Sequence, residues 1–241
     1  MSTDTPALSE SQRMARAKQA LAAVRCFAGL PDRVQVAIAS IATLRHYDAG
    51  QIIYLEGEPA TAVFILESGW VKATRMSPEG REQAMLFLRA GEIFGDIAVF
   101  TDTPYPGTVM ALEPSDVWVI DRMAILDLVA RHQELAMAVI RHLAERVLYY
   151  VGLVEDLSLR SVEARLAHTL LKHAQHSGDR LMVPRRTWTT FDEMATRLGT
   201  VRDVLSRALR TLEEEGLLKV ERHQIVILDP AGLTARGDRY D

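Results

Sequence analysis

The sequence has 241 residues, of which 48% are hydrophobic and 25% are charged. This ordinary globular composition leaves room for two modest domains. A single cysteine, Cys26, excludes an internal disulfide, a multi-cysteine zinc site and a four-thiolate iron–sulfur cluster within one chain. No apolar run approaches the roughly 18 residues of a membrane span, and the N-terminus lacks the apolar core of a signal peptide. We therefore expect a cytoplasmic protein that does not contact a membrane.

The formal net charge of −4 argues against a protein that coats nucleic acid by bulk charge. The charge is unevenly distributed, however. From Arg160 onward there are 14 Lys and Arg against 12 Asp and Glu, whereas the first 159 residues carry 14 against 20. Any contact with phosphates should therefore be local and come from the last third of the chain.

Residues 1–20 are polar and small and are predicted to form a flexible N-terminal tail or a loose first helix. Short amphipathic helices are predicted over 21–27 and 31–44. Between Tyr47 and Ile120, β-branched runs alternate with glycines in the rhythm of an antiparallel sandwich or barrel. The clearest strands are 51–55, 62–67, 70–75, 83–88 and 117–120, with a turn at 77–80. Residues 21–121 are thus assigned to a jelly-roll-like β-roll.

A long helix is predicted over 134–158, after an entry segment at 122–130. Its apolar residues recur at steps of four and three, which is the pattern of a coiled-coil seam. The predicted dimer interface consists of Ala136, Ile140, Leu143, Val147, Tyr150, Val154 and Leu157. A second apolar set, Leu135, Val139, Leu148 and Val151, is expected to pack against the preceding domain. An ordinary long buried helix is the alternative. We assign 122–160 to a dimerisation helix and hinge.

The remaining residues, 161–241, predict a winged helix-turn-helix. Ser161 caps a helix that ends near 177–178, and 181–184 and 188–190 could pair as a hairpin. The Thr-x-x-Glu box at Thr190 begins a helix that Gly199 ends. Thr200 is expected to cap a second helix that ends before Gly216. Two strands of a wing come next at 217–220 and 224–228, so the whole chain is predicted to have an α+β fold.

The second helix of that pair carries the residues that would read DNA. Its polar face consists of Arg202, Asp203, Ser206, Arg207 and Arg210. Arginine can donate to both O6 and N7 of guanine, and Asp203 can accept from cytosine N4. Thr200, Arg185, Arg186 and Arg197 are further DNA-binding candidates, and these three arginines together with Arg210 are expected to contact phosphates. A solvated helix face with i, i+4 charge pairs is the alternative interpretation.

Three stretches and two single glycines together resemble the motifs of the Crp/Fnr family of bacterial transcription regulators. They are Glu56-Gly57-Glu58-Pro59, the glycines 69 and 80, Gly91-Glu92-Ile93-Phe94-Gly95-Asp96, and 198–207. The resemblance spans about 21–230. It implies a homodimer with a cyclic-nucleotide-binding-domain-like β-roll as its sensor, double-stranded DNA as ligand and RNA polymerase as partner. It also implies that Arg202, Asp203 and Arg207 match the family's Arg-Glu-x-x-x-Arg readers, with Asp in place of Glu.

The sensor site departs from the relatives that bind cyclic AMP. These hold the nucleotide with a Gly-Glu, an Arg-Ser and a Thr-Ser pair, where this chain has Gly95-Asp96, Pro106-Gly107 and Tyr150-Val151. Without the arginine, the cyclic phosphate lacks its charge-assisted hydrogen bonds. We expect no tight cyclic AMP binding, and an apolar effector pocket instead. Its predicted residues are Gly95, Asp96, Ile97, Tyr105, Val147, Tyr150 and Val151.

Other functions receive less support from the sequence. Haem is possible, but none of the seven histidines lies in a ligand motif, and His142 on the long helix is the first candidate. A metal-dependent jelly-roll enzyme would need histidines between 47 and 120, where there are none. A regulatory module that does not bind DNA would leave the helix-turn-helix without a role. We therefore predict a non-enzymatic transcription regulator without an evident cofactor or metal, whose effector, if any, acts through a hinge at 157–161.

Overall fold

A computed structural model describes residues 9–76, 82–178, 180–184 and 190–238 of the chain. The chain divides into two compact units, residues 1–146 and 147–241, and each is described by itself. The division lies within the longest helix, α5 (Gln133–Leu159). The predicted turn at 77–80, with its glycine, lies outside the described residues.

The first unit is a β-roll of two four-stranded sheets. Its strands are β1 (Ala42–Tyr47), β2 (Ile52–Tyr54), β3 (Ala62–Ser68), β4 (Trp70–Met76), β5 (Glu82–Arg89), β6 (Ile93–Phe94), β7 (Thr108–Ala111) and β8 (Ser115–Asp121). One sheet has the order β1-β8-β3-β6 and the other β2-β7-β4-β5, and every pairing is antiparallel. All five predicted strands are confirmed. The pattern missed β1, β6 and β7, because none of them has a clean alternation of its own.

Four helices and the start of α5 accompany the roll. They are α1 (Glu10–Ala23), α2 (Asp32–Ile41), α3 (Asp96–Thr101) and α4 (Arg122–Arg131). The core is continuous between sheets and helices, from Leu21 and Ile38 to Trp118 and Ile125. Leu135 and Val139 of α5 are buried in this core, as predicted. These two residues fix the first turns of α5 on the unit.

Helix α1 decides between the two predictions for residues 1–20, because from Glu10 onward the chain is a helix and not a flexible tail. Ser9 and Gln12 form a reciprocal capping box at its start. Ala17 and Ala20 bury one face, and Arg16 bonds both Glu67 and Asp116. The pattern was missed because alanines give a narrow, weakly apolar stripe, and because an ion pair with distant strands leaves no local signal. Residues 1–8 lie outside the described residues.

In the second unit, the described helices α6 to α9 pack with a small sheet around one core. After the end of α5 come α6 (Val162–His173), β9 (Gln175–Ser177), β10 (Arg180–Pro184), α7 (Phe191–Arg197), α8 (Arg202–Glu214), β11 (Leu218–Val220), β12 (Gln224–Ile227) and α9 (Pro230–Gly237). The antiparallel sheet has the order β11-β12-β10-β9. Its core is lined by Leu166, Leu170, Leu205, Leu212 and Leu233, all fully buried.

One boundary in the second unit, the end of α6, differs from the prediction. Ser161 does cap α6, but the helix ends at His173, and β9 lies where more helix was expected. Strand β10 pairs with β9 and β12. The predicted partner of β10, residues 188–190, falls mostly outside the described residues. The β11–β12 wing is confirmed.

Candidate nucleic-acid interface and effector site

The helix-turn-helix is formed by α7, a glycine turn and α8. Thr190 caps α7 by accepting a hydrogen bond from the amide of Glu193 (3.1 Å). Gly199 adopts φ +61°, a left-handed conformation that turns the chain between the helices. The predicted cap of α8 by Thr200 is wrong. Val201 holds the N-cap position and makes no side-chain hydrogen bond, so the first amides of α8 have no side-chain cap.

Helix α8 has two distinct faces. Leu205, Ala208, Leu209 and Leu212 are buried on one side. All five predicted polar readers are exposed on the other: Arg202, Asp203, Ser206, Arg207 and Arg210. The Nη1 atom of Arg202 lies 3.8 Å from a carboxylate oxygen of Asp192, a loose contact that leaves the guanidinium largely solvated. The face can therefore meet a groove without unpacking the core.

The other predicted phosphate contacts are less uniform. Arg185 and Arg186 lie outside the described residues. Arg197 pairs with Glu193, whose carboxylate is fully buried, at 3.1 Å. Arg197 therefore stabilises a buried carboxylate within α7. The sequence did not indicate this role.

A buried carboxylate lies in the β-roll at the position that the sequence assigned to an effector pocket. Asp96 begins α3, where Gly95 has φ +75° and a Cβ would lie 3.0 Å from the carbonyl oxygen of Ala62. Two side chains of α5 bind this carboxylate. Arg146 Nη1 is 2.9 Å from both oxygens, and His142 Nε2 is 3.1 Å from Oδ2. We call these three residues the Asp96 cluster.

The charge of Asp96 is stabilised by this cluster. Burial by itself would raise the pKa of Asp96, because a charged carboxylate loses its hydration. The hydrogen bond from His142 and the positive charge of Arg146 outweigh burial and hold the pKa below its ordinary value. The carboxylate is therefore ionised at neutral pH and already hydrogen-bonded to its own chain.

An aromatic cluster occupies the interior beside it. The hydroxyl of Tyr105 accepts from the amide of Ala62 (3.0 Å) and donates to the same residue's carbonyl (2.9 Å). The Tyr105 ring stacks on Tyr54 with a centroid separation of 3.8 Å, and Phe64 stacks on Phe94 at 5.1 Å. Tyr105 is buried, so it is part of the core and does not line an open pocket.

Comparisons with known proteins match both units. The family described as "Cyclic nucleotide-binding domain" matches residues 44–132, and "Crp-like helix-turn-helix domain" matches 164–236. A CRP-like cAMP-activated global transcriptional regulator of Mycobacterium tuberculosis is 27% identical over 192 residues, 79% of this chain and 86% of that protein. The cyclic AMP receptor protein of Thermus thermophilus is 28% identical over 195 residues, 80% and 88% of the two chains. A solved structure from Ruegeria pomeroyi is 27% identical with a TM-score of 0.60 and covers 93% of this chain and 98% of its own.

The chain belongs to the Crp/Fnr family of transcription regulators.

In this Crp/Fnr protein, the positions that the resemblance assigned to the nucleotide have the following surroundings. Asp96 is hydrogen-bonded by two side chains of α5, and Pro106 is exposed. At Gly107, a Cβ would be only 2.7 Å from the carbonyl oxygen of Thr74. Position 107 thus has no room for a serine side chain unless the backbone moves.

The predicted interface residues of α5 are arranged as follows. Ile140, Val147 and Val154 are 58%, 59% and 62% exposed, an unusual state for aliphatic side chains. Tyr150 is also exposed, Ala136 is half-buried and Leu143 packs against the roll core. The side chain of Leu157 is not described.

The exposed apolar stripe on α5 is wider than predicted. Leu148 and Val151, expected to pack against the preceding domain, are exposed. Val151 comes four residues after Val147 and three before Val154, so it continues the same stripe. Of the predicted pocket residues, Val147, Tyr150 and Val151 therefore share the exposed face of α5, and Ile97 is half-buried in α3.

Sequence reasoning missed Arg146 altogether. His142 was singled out as a haem candidate, whereas here its Nε2 faces Asp96. The available signal was the i, i+4 spacing of His142 and Arg146, which places both on one face of a helix.

Other chemistry is limited in the described residues. They contain no group of three His, Cys, Asp or Glu that could hold a metal ion, and no helix long and apolar enough to span a membrane. Burial raises the pKa of the Cys26 thiol to about 12, so the thiol is inert at neutral pH.

Proposed function

We propose that this protein is a homodimeric regulator that reads a two-fold symmetric DNA site through α8 and does so without cyclic AMP. The observation that carries the proposal is the exposed face of α8 directly after the glycine turn. Near the N-terminus of α8, this face presents two arginines, an aspartate and a serine. A recognition helix directs its N-terminal end at base edges.

The residue types support specific roles. Arg202 and Arg207 suit guanine, because a guanidinium can donate to O6 and N7 together. Asp203 suits the amino group of cytosine, and Ser206 suits a base or a phosphate. The uncapped first amides of α8 suit a phosphate oxygen. Arg210, one turn further on, suits the backbone of the duplex.

The apolar stripe of α5 supports the homodimer. Ile140, Val147, Val151 and Val154 succeed one another at steps of seven, four and three, which is the spacing of a two-stranded seam. Burying each such side chain is worth about 1.5–3 kcal/mol. A second copy of α5 offers a matching stripe. Two α8 helices related by this two-fold axis would read half-sites roughly 34 Å apart.

Independence from cyclic AMP rests on the β-roll. The relatives from M. tuberculosis and T. thermophilus are described as cyclic AMP-activated and as a cyclic AMP receptor. Here the Asp96 carboxylate is bound by His142 and Arg146, and position 107 is closed by the Thr74 carbonyl. The protein thus makes between its own β-roll and α5 the kind of contact that a ligand would otherwise make. RNA polymerase is the expected partner, no enzymatic activity is expected, and the cytoplasm is the expected location.

The test is a DNA selection followed by affinity measurements on the purified full-length protein. We expect enrichment of a symmetric site without added nucleotide and an unchanged affinity when cyclic AMP is added. Arg207→Ala should cost about 1–3 kcal/mol and relax base choice at one position in each half-site. Lys172→Ala, on α6, is a matched removal of one positive charge and should not relax any position.

The dimer is tested separately by Val154→Asp, which places a charge in the seam. The variant should sediment as a monomer at concentrations where the wild type is a dimer, and its symmetric-site affinity should fall. Monomeric wild type, equal losses on all sequences for Arg207→Ala, or a requirement for cyclic AMP would each contradict the corresponding part of the proposal.

A further inference from the structure

We propose that Arg165 is a positioning residue for DNA binding, which fixes the direction of α8 relative to the last turn of α5. The proposal rests on the proposed homodimer, because the end of α5 leads from the dimer seam to the recognition helix. In that dimer Arg165 would set the spacing at which the two half-sites are read.

The hydrogen bonds that Arg165 makes within the described part of the chain go to backbone carbonyls. Its Nε donates to the carbonyl oxygen of Leu198 at 3.0 Å, and its Nη1 donates to that of Arg160 at 2.8 Å. A weaker contact of Nη1 reaches the carbonyl of Asp156 at 3.5 Å. Arg165 itself lies on α6 and is 7% exposed. A buried guanidinium therefore joins two distant segments of the second unit.

Both segments are helix ends. Asp156 lies in the last turn of α5 and Arg160 comes directly after that helix, while Leu198 is the C-cap of α7. The final carbonyls of a helix lack intrahelical partners and carry the negative end of its dipole. A cation that donates several hydrogen bonds can both pair with these carbonyls and stabilise the negative end of the dipole. Arg165 is thus a shared C-terminal cap of α5 and α7.

The hydrogen bond to the Leu198 carbonyl matters because the recognition helix begins only a few residues later. Gly199 makes the turn, Val201 is the N-cap of α8, and the polar reader face starts at Arg202. The amide of Thr200 is also fixed, by a 2.9 Å hydrogen bond to the carbonyl of Ala195. Only three residues separate the bound carbonyl from the first turn of α8, so the start of the recognition helix has little freedom to swing.

A second arginine extends the same arrangement to the C-terminal helix. Arg160 donates to the carbonyl of Gly237, at the end of α9, and its Nε lies 3.1 Å from the Asp156 carboxylate. Helix α9 lies so close to α6 that a Cβ on Gly237 would be 3.1 Å from the amide of His168. The ends of α5, α7 and α9 thus meet at two arginine side chains.

Arginine suits this task better than lysine. Its planar fork presents donors in fixed directions, whereas an ammonium is a point charge on a flexible stem. Arg165→Lys keeps the charge and most of the buried stem but cannot hold the Leu198 and Arg160 carbonyls in one fixed geometry. If the correctly aimed arrangement then falls to about a tenth of the molecules, affinity for the preferred site falls about 10-fold.

The first measurement uses full-length wild type and Arg165→Lys on the selected symmetric site, with the spacer between half-sites lengthened or shortened one base pair at a time. Wild type should show one sharp optimum. The variant should bind about 10-fold more weakly at that optimum, and its affinity should fall by a smaller factor at the other spacers. The plot of its affinity against spacer length is therefore flatter. Base preference within each half-site should be unchanged. Val183→Ala is the control, because it removes buried methyl groups from β10 of the same unit without touching the arginine contacts.

The second measurement does not need DNA. Amide hydrogen exchange at Thr200 and Arg160, both hydrogen-bonded in the backbone, should accelerate about 10-fold in Arg165→Lys and not selectively in Val183→Ala. Unchanged exchange at both amides would refute the linkage. Accelerated exchange with an unchanged spacer profile would show that Arg165 only stabilises the fold, and would refute the positioning role. A wild-type profile without an optimum would refute the proposed dimer, while the exchange data would still report on the linkage.

Discussion

Replacing Arg146 by methionine is the sharpest test of the Asp96 cluster. Methionine keeps much of the aliphatic stem and removes the guanidinium, so the change leaves a buried carboxylate with His142 as its remaining partner in the cluster. Removing one partner of a buried ion pair costs about 3–5 kcal/mol. The side chain of Asp96 is 2% exposed but that of Arg146 is 21%, so solvent screens part of the interaction. We therefore expect a loss near the lower limit, about 3 kcal/mol in the free energy of unfolding.

The assay is urea unfolding followed by tryptophan fluorescence, since Trp118 is buried in β8 of the same unit. A double-mutant cycle with Asp96→Asn should show that the two losses overlap by about 1.5–3 kcal/mol, because the charge-assisted hydrogen bonds can be lost only once. Arg141→Met, an exposed arginine earlier on α5, is the control and should cost less than about 0.5 kcal/mol. Losses that simply add, or an Arg146→Met variant as stable as the control, would refute the reasoning.

Three further predictions concern the β-roll. The pKa of Asp96 is lowered in the folded state, so the ionised carboxylate stabilises the fold fully above its ordinary pKa of 3.8. This stabilisation is lost as pH falls through the lowered pKa. The difference in unfolding free energy between wild type and Asp96→Asn should therefore close below about pH 4 in acid titrations. A constant gap down to the acid transition would contradict this. Gly107→Ser should lower stability by about 1–3 kcal/mol without creating cyclic AMP affinity by calorimetry, because its Cβ meets the Thr74 carbonyl. Tight binding by this variant would show that position 107 alone closes the site. Tyr105→Phe should lower the free energy of unfolding by about 1–3 kcal/mol in thermal unfolding, since the hydroxyl is hydrogen-bonded to both the amide and the carbonyl of Ala62. An unchanged melting temperature would mean that these groups find other partners.

Features that depend on a short, regular pattern could be predicted from the sequence. The steps of four and three along α5 appear in the structure as a helix from Gln133 to Leu159. The alternation of buried and polar positions in α8, after a turn glycine, fixed the location of the reader face. These features were predictable because the period of a helix or strand determines which residues share a face, whatever lies beyond it.

Local patterns were misleading where the decisive partner is distant. Helix α1 could not be told from a flexible tail, because its apolar stripe is alanine-rich and its ion pairs reach Glu67 and Asp116. The α8 cap was assigned to Thr200, although the chain reaches Val201 before the helix begins. A difference of one residue at a turn depends on backbone angles that the residue types alone leave open.

The order of the units, the long helix and the exposed polar face of α8 were thus determined by the sequence itself. Only the tertiary structure decided that Asp96 is bound by residues 46 and 50 positions away, and that Arg165 bonds a carbonyl 33 positions away. The physical reason is that periodicity depends on neighbours along the chain, whereas a buried charge must find its partners in space. Those partners are selected by how the sheets and helices pack, because an unpaired charge in the interior is too costly to remain.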